Sequence, residues 1–472
     1  MKPIVSYSSK ILFTLLFLSV GLASPSLGAD YYVDGNTGSD NGAGTLESPW
    51  KTISHALKHA RNSDIIYIKY AIYNESINMA MVPIRGVSLV GISKDGKRPV
   101  IHSASPDENT IFLVNYHGQI KGLDVTGATQ AIGINCVANG GANYADISDC
   151  RIYGNRLGIH TTTVGGGGAP DCCPVIHHNR IFDNTTRGIG NMGHSTALIE
   201  YNYIYENGSG EMGNAGIGNS QYSAVKIIGN IIYANNDAGI SATDYARPEI
   251  INNTIFNHNA DSPLAAAIRC GQNERITTVK IVNNIIASNA RGIIAKHGRF
   301  ISGNDYNDVW NNFYNDYIGF VQAEHDISVD PLFVDTTTGD FHLQNGSPCI
   351  DSADTTVAPE KDIDGTSRPQ GTASDIGAYE YQDGVQIPLP PTVEVDVSGT
   401  SVSIHWNEVE NAKKYTLFYA PPDVSYIGSL DMSKQTKFST ELWKNAGFYV
   451  AVKACNAAGC SNYSNIEYFV IP

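Results

Sequence analysis

Between about residues 145 and 310, apolar and polar positions repeat in a fixed order. Each copy has an Asn, any residue, an Ile and a second apolar residue, and often another Asn two residues later. The copies begin at Asn179, Asn202, Asn230, Asn253 and Asn284, with a divergent copy at Asp149. Most copies are followed by a short stretch that begins Gly-Ile. Short alternating strands at such a period are typical of a solenoid.

The repeats predict an all-β fold, a right-handed parallel β-helix whose coils each add one strand to several parallel sheets. The Ile residues at this place in the repeat, five of which follow a Gly, should form one interior row of Ile159, Ile189, Ile217, Ile240, Ile268 and Ile293. The repeated Asn residues should be structural, because an inward amide at a turn can bond the backbone of two coils. An N-terminal capping helix is expected after Ser48 and Pro49, with Ile53 and Leu57 on its buried face.

Composition and the first residues restrict the class of protein. Lys2 and Lys10 precede an apolar run over residues 11–23, and small residues follow it, so residues 1–29 resemble a secretory signal peptide. That run is too short to span a membrane. We therefore expect a secreted or cell-surface protein, a monomer without a membrane-spanning segment. The net charge of −15 and the lack of Lys/Arg runs argue against nucleic-acid binding.

Two further segments carry a family resemblance. The opening from Tyr31 to Ala60, and the stretches DPLFVD (330–335) and DIDGTSRPQGTASDIGAYEY (362–381), resemble bacterial secreted β-helix proteins of the pectin-lyase-like superfamily. The resemblance implies a β-helix over residues 30–329 and a C-terminal element over 330–383 that often precedes a surface anchor. The superfamily includes lyases, hydrolases, epimerases and adhesins, so fold alone does not define the activity.

The composition changes near the C-terminus. Residues 384–391 form a Pro-rich linker, and residues 392–472 resemble a fibronectin type III domain, a β-sandwich in which Trp406 and Tyr449 would be core residues. Cys455 and Cys460 bracket a short loop, and in an oxidising compartment we expect them to form a disulfide. Pairing stays open for the other cysteines, which are Cys136, Cys150, Cys172, Cys173, Cys270 and Cys349.

Functional side chains should lie on the outer face of the sheet that contains the Gly-Ile strands. Alternation points the residue after each Ile outward, and Gly190, Gly218 and Ser241 in this row would leave a trough. Longer loops, among them Gly165–Asp171 and Gly208–Gly213, border the same strands. The predicted catalytic residues are Lys296 and Arg269. The predicted substrate-binding residues are His160, His194, Tyr245, Arg247 and His297, and the predicted metal ligands are Asp244 and Glu211.

Three functions fit such a face. A polysaccharide lyase would use Lys296 or Arg269 as the base next to a uronate carboxylate, with Ca²⁺ held by Asp244 and Glu211. Ca²⁺ is the one cofactor that these residues indicate. A glycoside hydrolase would use Asp244 and Glu211 as its two carboxylates. The third function is non-catalytic, namely glycan binding or adhesion at the cell surface. The common prediction is a carbohydrate-directed protein whose partner is a polysaccharide, with a lyase favoured over a hydrolase if it is an enzyme.

Overall fold

The structure is a computed structural model. It describes residues 28–81, 85–94, 97–165, 171–209, 213–258, 264–271, 275, 277–295, 303–319, 321–384, 387–423, 427–456 and 458–472. In these residues, no helix is both long and apolar enough to cross a membrane. The predicted site residues Lys296, His297 and Glu211 lie outside the described residues.

Three parallel ten-stranded sheets build the N-terminal two thirds of the chain as a β-solenoid. Sheet A contains β1 (Asp30–Val33), β2 (Ile65–Lys69), β5 (Ser88–Ile92), β8 (Gln119–Lys121), β11 (Asp146–Ser148), β14 (Val175–His177), β17 (Leu198–Glu200), β20 (Lys226–Ile228), β23 (Glu249–Ile251) and β26 (Lys280–Val282). Sheet B contains β3 (Ile72–Asn74), β6 (Val100–His102), β9 (Asp124–Thr126), β12 (Arg151–Tyr153), β15 (Arg180–Phe182), β18 (Tyr203–Tyr205), β21 (Ile231–Tyr233), β24 (Thr254–Phe256), β27 (Ile285–Ala287) and β29 (Asp308–Trp310). Sheet C contains β4 (Ile77–Asn78), β7 (Ile111–Val114), β10 (Ile132–Asn139), β13 (Leu157–Val164), β16 (Arg187–Met192), β19 (Ala215–Asn219), β22 (Ala238–Ala242), β25 (Ala266–Cys270), β28 (Arg291–Ala295) and β30 (Asn315–Ile318).

The predicted interior row is confirmed. Ile159 pairs with Ile189, and the same register continues through Ile217, Ile240, Ile268 and Ile293, all of which are fully buried. Since a slip of one residue would turn every side chain to the other face, this register fixes which residues of sheet C point outward.

The repeated Asn residues are buried and form a ladder, as predicted. At the corner between sheets A and B, the Asn202 side-chain Oδ1 accepts from both the backbone and the side-chain N–H of Asn179, and each next coil repeats the pattern. The second Asn of the motif forms a parallel ladder at the corner between sheets B and C, with Asn184 bonded to Asn207. The Asn residues do not adopt the left-handed conformation themselves; the residue before each one does, for example His178 and Asp183.

A short helix covers the N-terminal end of the solenoid. Helix α1 (Ile53–His59) begins after Thr52, whose side chain accepts from the backbone of His55, so Thr52 rather than Ser48 is the N-cap. The Glu75 carboxylate accepts from the first two backbone N–H groups of the helix. Ile53, Ala56 and Leu57 are buried against the first coil, as the apolar spacing predicts.

Beyond the solenoid, a hairpin of β31 (Phe333–Asp335) and β32 (Asp340–Leu343) and the segment that follows pack on the outer face of sheet B. Phe341 contacts the rings of Tyr233 and Phe256, and the Tyr379 hydroxyl lies 2.9 Å from that of Tyr203. This C-terminal element therefore covers the later strands of sheet B.

The last 80 residues form an antiparallel β-sandwich. One sheet contains β33 (Val393–Ser398), β34 (Ser401–Trp406) and β37 (Lys437–Glu441), and the other contains β35 (Lys414–Ala420), β36 (Gly428–Ser433), β38 (Gly447–Asn456), β39 (Gly459–Cys460) and β40 (Glu467–Val470).

Two predictions for the sandwich are confirmed and one is wrong. Trp406 is buried in the core, and Cys455 and Cys460 are bonded. Tyr449, however, is 37% exposed. The alternation along β38 turns Val450 and Val452 inward and leaves Tyr449 on the solvent side, so Tyr415 supplies the buried tyrosine.

The sandwich is held against the solenoid and the C-terminal element by ion pairs. Arg180 of sheet B lies 3.0 Å from Asp431, and Lys414 lies 3.5 Å from Asp364 of the C-terminal element. Asp364 also contacts His342, whose other ring nitrogen contacts Asp340. Sheet B therefore faces other parts of the chain, and sheet C carries the candidate site.

Candidate functional site

The outer row of sheet C has the predicted members in the predicted order. Its successive coil neighbours are Asn135, His160, Gly190, Gly218, Ser241, Arg269 and Ile294. The described ends of the longer loops adjoin the same sheet, because Gly165 follows β13 and Gly213 precedes β19.

The row does not form the open trough that the small residues predict. An added Cβ at Gly218 would lie 2.8 Å from the Arg187 side chain, and Gly190 lies beneath Leu157. Ser241 is 6% exposed and Arg269 is 1% exposed. Long side chains fold back across the small ones, so much of this face is already filled by the protein.

Arg269 points outward but is not a solvent-exposed base, which corrects the prediction of a catalytic group lining an open groove. Its Nη1 lies 2.8 Å from the Asp237 carboxylate and donates to the Leu264 carbonyl at 2.9 Å. Asp237 is itself fully buried. A buried guanidinium held between two acceptors is not placed to take a proton from a substrate.

His160 lies on this face as a neutral side chain. Its Nδ1 is 3.1 Å from the Asn135 side-chain oxygen. Burial lowers the pKa of His160 to about 4, and the nearby Arg187 and Arg156 lower it further. The Arg187 side chain donates twice to the Gly213 carbonyl. Although the whole chain is acidic, this part of sheet C is therefore locally basic.

A ladder of aromatic rings runs along the corner where sheet C turns into sheet A. His194 stacks on Tyr222 with ring centroids 5.1 Å apart, and Tyr222 stacks on Tyr245 at 4.8 Å, with interplanar angles of 8° and 7°. All three residues have positive φ, which turns their side chains out of the strand direction. We call these three residues the corner ladder.

His194 and Tyr245 were predicted from the sequence, whereas Tyr222, which is 48% exposed, was not. The sequence nevertheless contains a pattern that indicates Tyr222. After each Gly-Ile strand of these coils, an aromatic side chain is followed by a small residue, as in Gly193-His194-Ser195 and Gln221-Tyr222-Ser223. Strand alternation could not find it, since the left-handed residues break the period of two.

Charged groups lie at the end of the corner ladder. The guanidinium of Arg275 is 6.0 Å from the Tyr245 ring centroid and 3.2 Å from the Asp244 carboxylate. Arg247 is exposed two residues beyond Tyr245. The structure thus brings Tyr245 and Asp244 together with an arginine that sequence reasoning did not select.

The predicted calcium site has one described member. Asp244 pairs with Arg275, and within the described residues no three His, Cys, Asp or Glu side chains are grouped to hold a metal ion. The second expected ligand, Glu211, lies outside that part of the chain, so the calcium site stays a prediction.

Comparison with known proteins supports the solenoid. Residues 111–314 match a family model described as a right handed beta helix region, which covers strands β7 to β29. The solenoid is thus a right-handed parallel β-helix in the matched region. No curated protein matches the chain significantly.

The solved structures that match include fibronectin type III domains. The chicken CNTN1 FN1-FN3 domains are 22% identical, with a TM-score of 0.17, over 18% of this chain and 32% of that one. The third fibronectin III domain of human KIAA0343 is 20% identical, with a TM-score of 0.17, over 20% of this chain and 90% of that one. The chain thus spans about a third of the length of the chicken structure.

Proposed function

We propose that the protein is an exported carbohydrate-binding β-helix that holds an acidic polysaccharide along the corner ladder. The observation that carries this proposal is the ladder itself, a series of stacked rings at the spacing of the coils with one ring 48% exposed. An extended sugar chain is a ligand of matching shape, because its residues repeat at a similar distance along a straight line.

The chemistry of the ladder suits a polar and anionic ligand. Stacked rings bury their faces against each other and present their edges, which carry partial positive charge. The edges of the two tyrosines also carry hydroxyl groups that donate and accept hydrogen bonds. Arg275 and Arg247 add full positive charges at the Tyr245 end, and these favour a glycan with carboxylate groups.

Export and surface display are part of the proposal. The apolar stretch over residues 11–23 and the resemblance of residues 330–381 to an element found before surface anchors support this location. On this view the sandwich is a fibronectin type III module.

The test is a binding panel with the full chain. Immobilised polyuronates and neutral glycans are compared, with and without chelator, and products are followed by ultraviolet absorbance and by reducing ends. We expect retention on polyuronates that weakens as salt rises. Unsaturated products would support a lyase and new reducing ends a hydrolase; either would replace the binding proposal.

The ladder is tested by the double substitution Tyr222→Ala with Tyr245→Ala. Each ring contributes on the order of 1 kcal/mol to a contact, so loss of both rings should weaken binding about 30-fold. Phe313→Ala is the matched control, because Phe313 is 80% exposed but lies outside the ladder. Equal loss in both proteins, or in neither, would contradict the proposal.

A further inference from the structure

The Arg269–Asp237 pair leaves one edge of its guanidinium unused. Both contacts of Arg269, to Asp237 and to the Leu264 carbonyl, are made by Nη1. Among the residues that the structure describes, Arg269 Nε and Nη2 and Asp237 Oδ1 have no hydrogen-bond partner. All three atoms are buried, although buried polar groups are costly when unpaired.

This arrangement is unusual within the molecule itself. Arg368 and Glu380 form a second buried pair at 2.8 Å, with side-chain exposures of 1% and 0%. There, however, Nη1 and Nη2 of Arg368 also donate to the carbonyls of Asp375 and Gly377, and only Nε lacks a partner. The chain can therefore satisfy both terminal nitrogens of a buried guanidinium with backbone oxygens, whereas at Arg269 a backbone oxygen reaches Nη1 and leaves Nη2 without a partner.

Within the described residues, three guanidinium groups near this edge act on one another. Burial lowers the pKa of Arg187, and the charges of Arg269 and Arg156 lower it further, which places three guanidinium groups in one region. The only carboxylate bonded to Arg269 in the described chain is Asp237, and its Oδ2 also accepts from the backbone of Gly213. An anion at the free edge would reduce this repulsion.

We infer that the Nε–Nη2 edge of Arg269 is the binding site for a carboxylate. The two N–H bonds on that edge are parallel and match the two oxygens of a planar carboxylate, whereas an ammonium group offers no such fork. Asp237 holds the opposite side of the guanidinium and is a positioning residue. Where the carboxylate belongs to a glycan, the inference rests on the proposed function; a free carboxylate would use the same edge.

The first experiment measures the thermal unfolding of the unmodified full chain in the presence of acetate or of acetamide. The two probes have the same planar shape, but only acetate carries the charge. We expect acetate to raise the unfolding temperature in a saturable way and acetamide to have no effect. Equal effects of both probes, or of neither, would overturn the inference, since a buried water would then account for the unpaired atoms.

The variant Arg269→Lys keeps the positive charge but removes the planar pair of N–H donors. The probes are a uronate oligomer and the same oligomer with its carboxylates reduced to alcohols. The wild-type chain should prefer the acidic oligomer by about tenfold or more, and the variant should lose that preference while keeping its affinity for the neutral oligomer. An unchanged preference in a folded variant would overturn the inference.

The two experiments also separate this inference from the proposed function. If acetate binds at Arg269 while neither oligomer binds, the carboxylate site stands and the polysaccharide proposal fails. If the oligomers bind through the corner ladder and acetate has no effect, the polysaccharide proposal stands and the carboxylate site fails.

Discussion

At the scale of single residues, the side-chain amides of the two ladders hold the corners of the solenoid. Asn230 Nδ2 donates to the carbonyls of Ile199 and Ile228, and its Oδ1 accepts twice from Asn202. One buried side chain thus satisfies backbone groups of neighbouring coils, which would otherwise be unpaired at the turn.

Asn230→Ala should therefore destabilise the solenoid by about 3 kcal/mol, because it leaves several buried partners unpaired. Asn236→Ala is the control; Asn236 is exposed, and its side chain donates to the Gly208 carbonyl, so a loss of at most about 1 kcal/mol is expected. Denaturant titration gives both values, and similar losses would show that the ladder is not the source.

His258 replaces an Asn in the second ladder. It accepts from the backbone of Asn235 and is fully buried, and burial lowers its pKa to about 4. An unfolded His has a pKa near 6.5, so the unfolded chain takes up a proton first as the pH falls. The wild-type chain should lose up to ~3 kcal/mol between about pH 6.5 and pH 4 from this group.

His258→Asn should remove this loss, because Asn is the usual residue of the ladder and does not titrate. The measurement is the difference in unfolding free energy between variant and wild type at a series of pH values. His405→Asn, at a histidine of the sandwich whose side chain is 38% exposed, serves as the control. A difference that does not change with pH would refute the assignment.

At the scale of the element, the Gly of each Gly-Ile strand reflects the close stacking of coils. An added Cβ at Gly216 would lie 2.9 Å from the carbonyl oxygen of Gly239 and 2.8 Å from the Asn235 amide. Gly188 and Gly239 meet the same kind of neighbours. A side chain at these positions would push neighbouring strands apart.

Gly216→Ala is thus expected to destabilise the fold by at least ~2 kcal/mol, since backbone atoms cannot move aside cheaply. Gly190→Ala offers a matched comparison in the same sheet, because the nearest neighbours of its Cβ would be the Leu157 methyl groups at 3.4 and 3.5 Å and His160 at 3.7 Å. The unfolding temperatures of the two variants are compared with that of the wild-type chain. Equal decreases in both variants would mean that the close spacing of the coils is not what requires Gly216.

The same element shows what the sequence can predict. The Ile row and its outward neighbours follow from a period of two and the Gly-Ile motif, so the direction of Arg269 was predictable. Its burial was not, because Asp237 lies on another coil and no local pattern states where a long side chain folds. For the same reason the filling of Gly218 by Arg187 could not be predicted from small residue size.

At the scale of the whole molecule, the sandwich is fixed through a charged joint. Burial would lower the pKa of His342, but hydrogen bonds to Asp340 and Asp364 raise it to about 9. Asp364 in turn contacts Lys414 of the sandwich, and Asp340 accepts from the backbone of Cys460. A protonated His342 therefore holds together the two carboxylates that bind the sandwich.

Because the folded pKa of His342 is raised, its stabilisation is complete below pH 6.5 and is lost as the pH rises through about 9. Protease cleavage in the linker (384–391) should accelerate over that range. His342→Gln should give fast cleavage at every pH. His325→Gln, which breaks an exposed pair with Asp305, is the control, and the joint is not pH-dependent if both variants behave alike.

The Asn ladders also have a direction and a terminus. Every rung donates toward the next coil, and the last rungs, Asn307 and Asn312, donate to the carboxylates of Asp326 and Asp316. A carboxylate accepts but has no N–H to pass on, so it ends the series. Each earlier Asn rung accepts from the coil before it and donates to the coil after it, so a duplicated coil inserted between two Asn rungs would meet complementary neighbours on both sides. His258 is the exception, because an imidazole ring takes the place of the amide. The length of this solenoid is therefore open to change by gene duplication, while its end is set by two acidic residues.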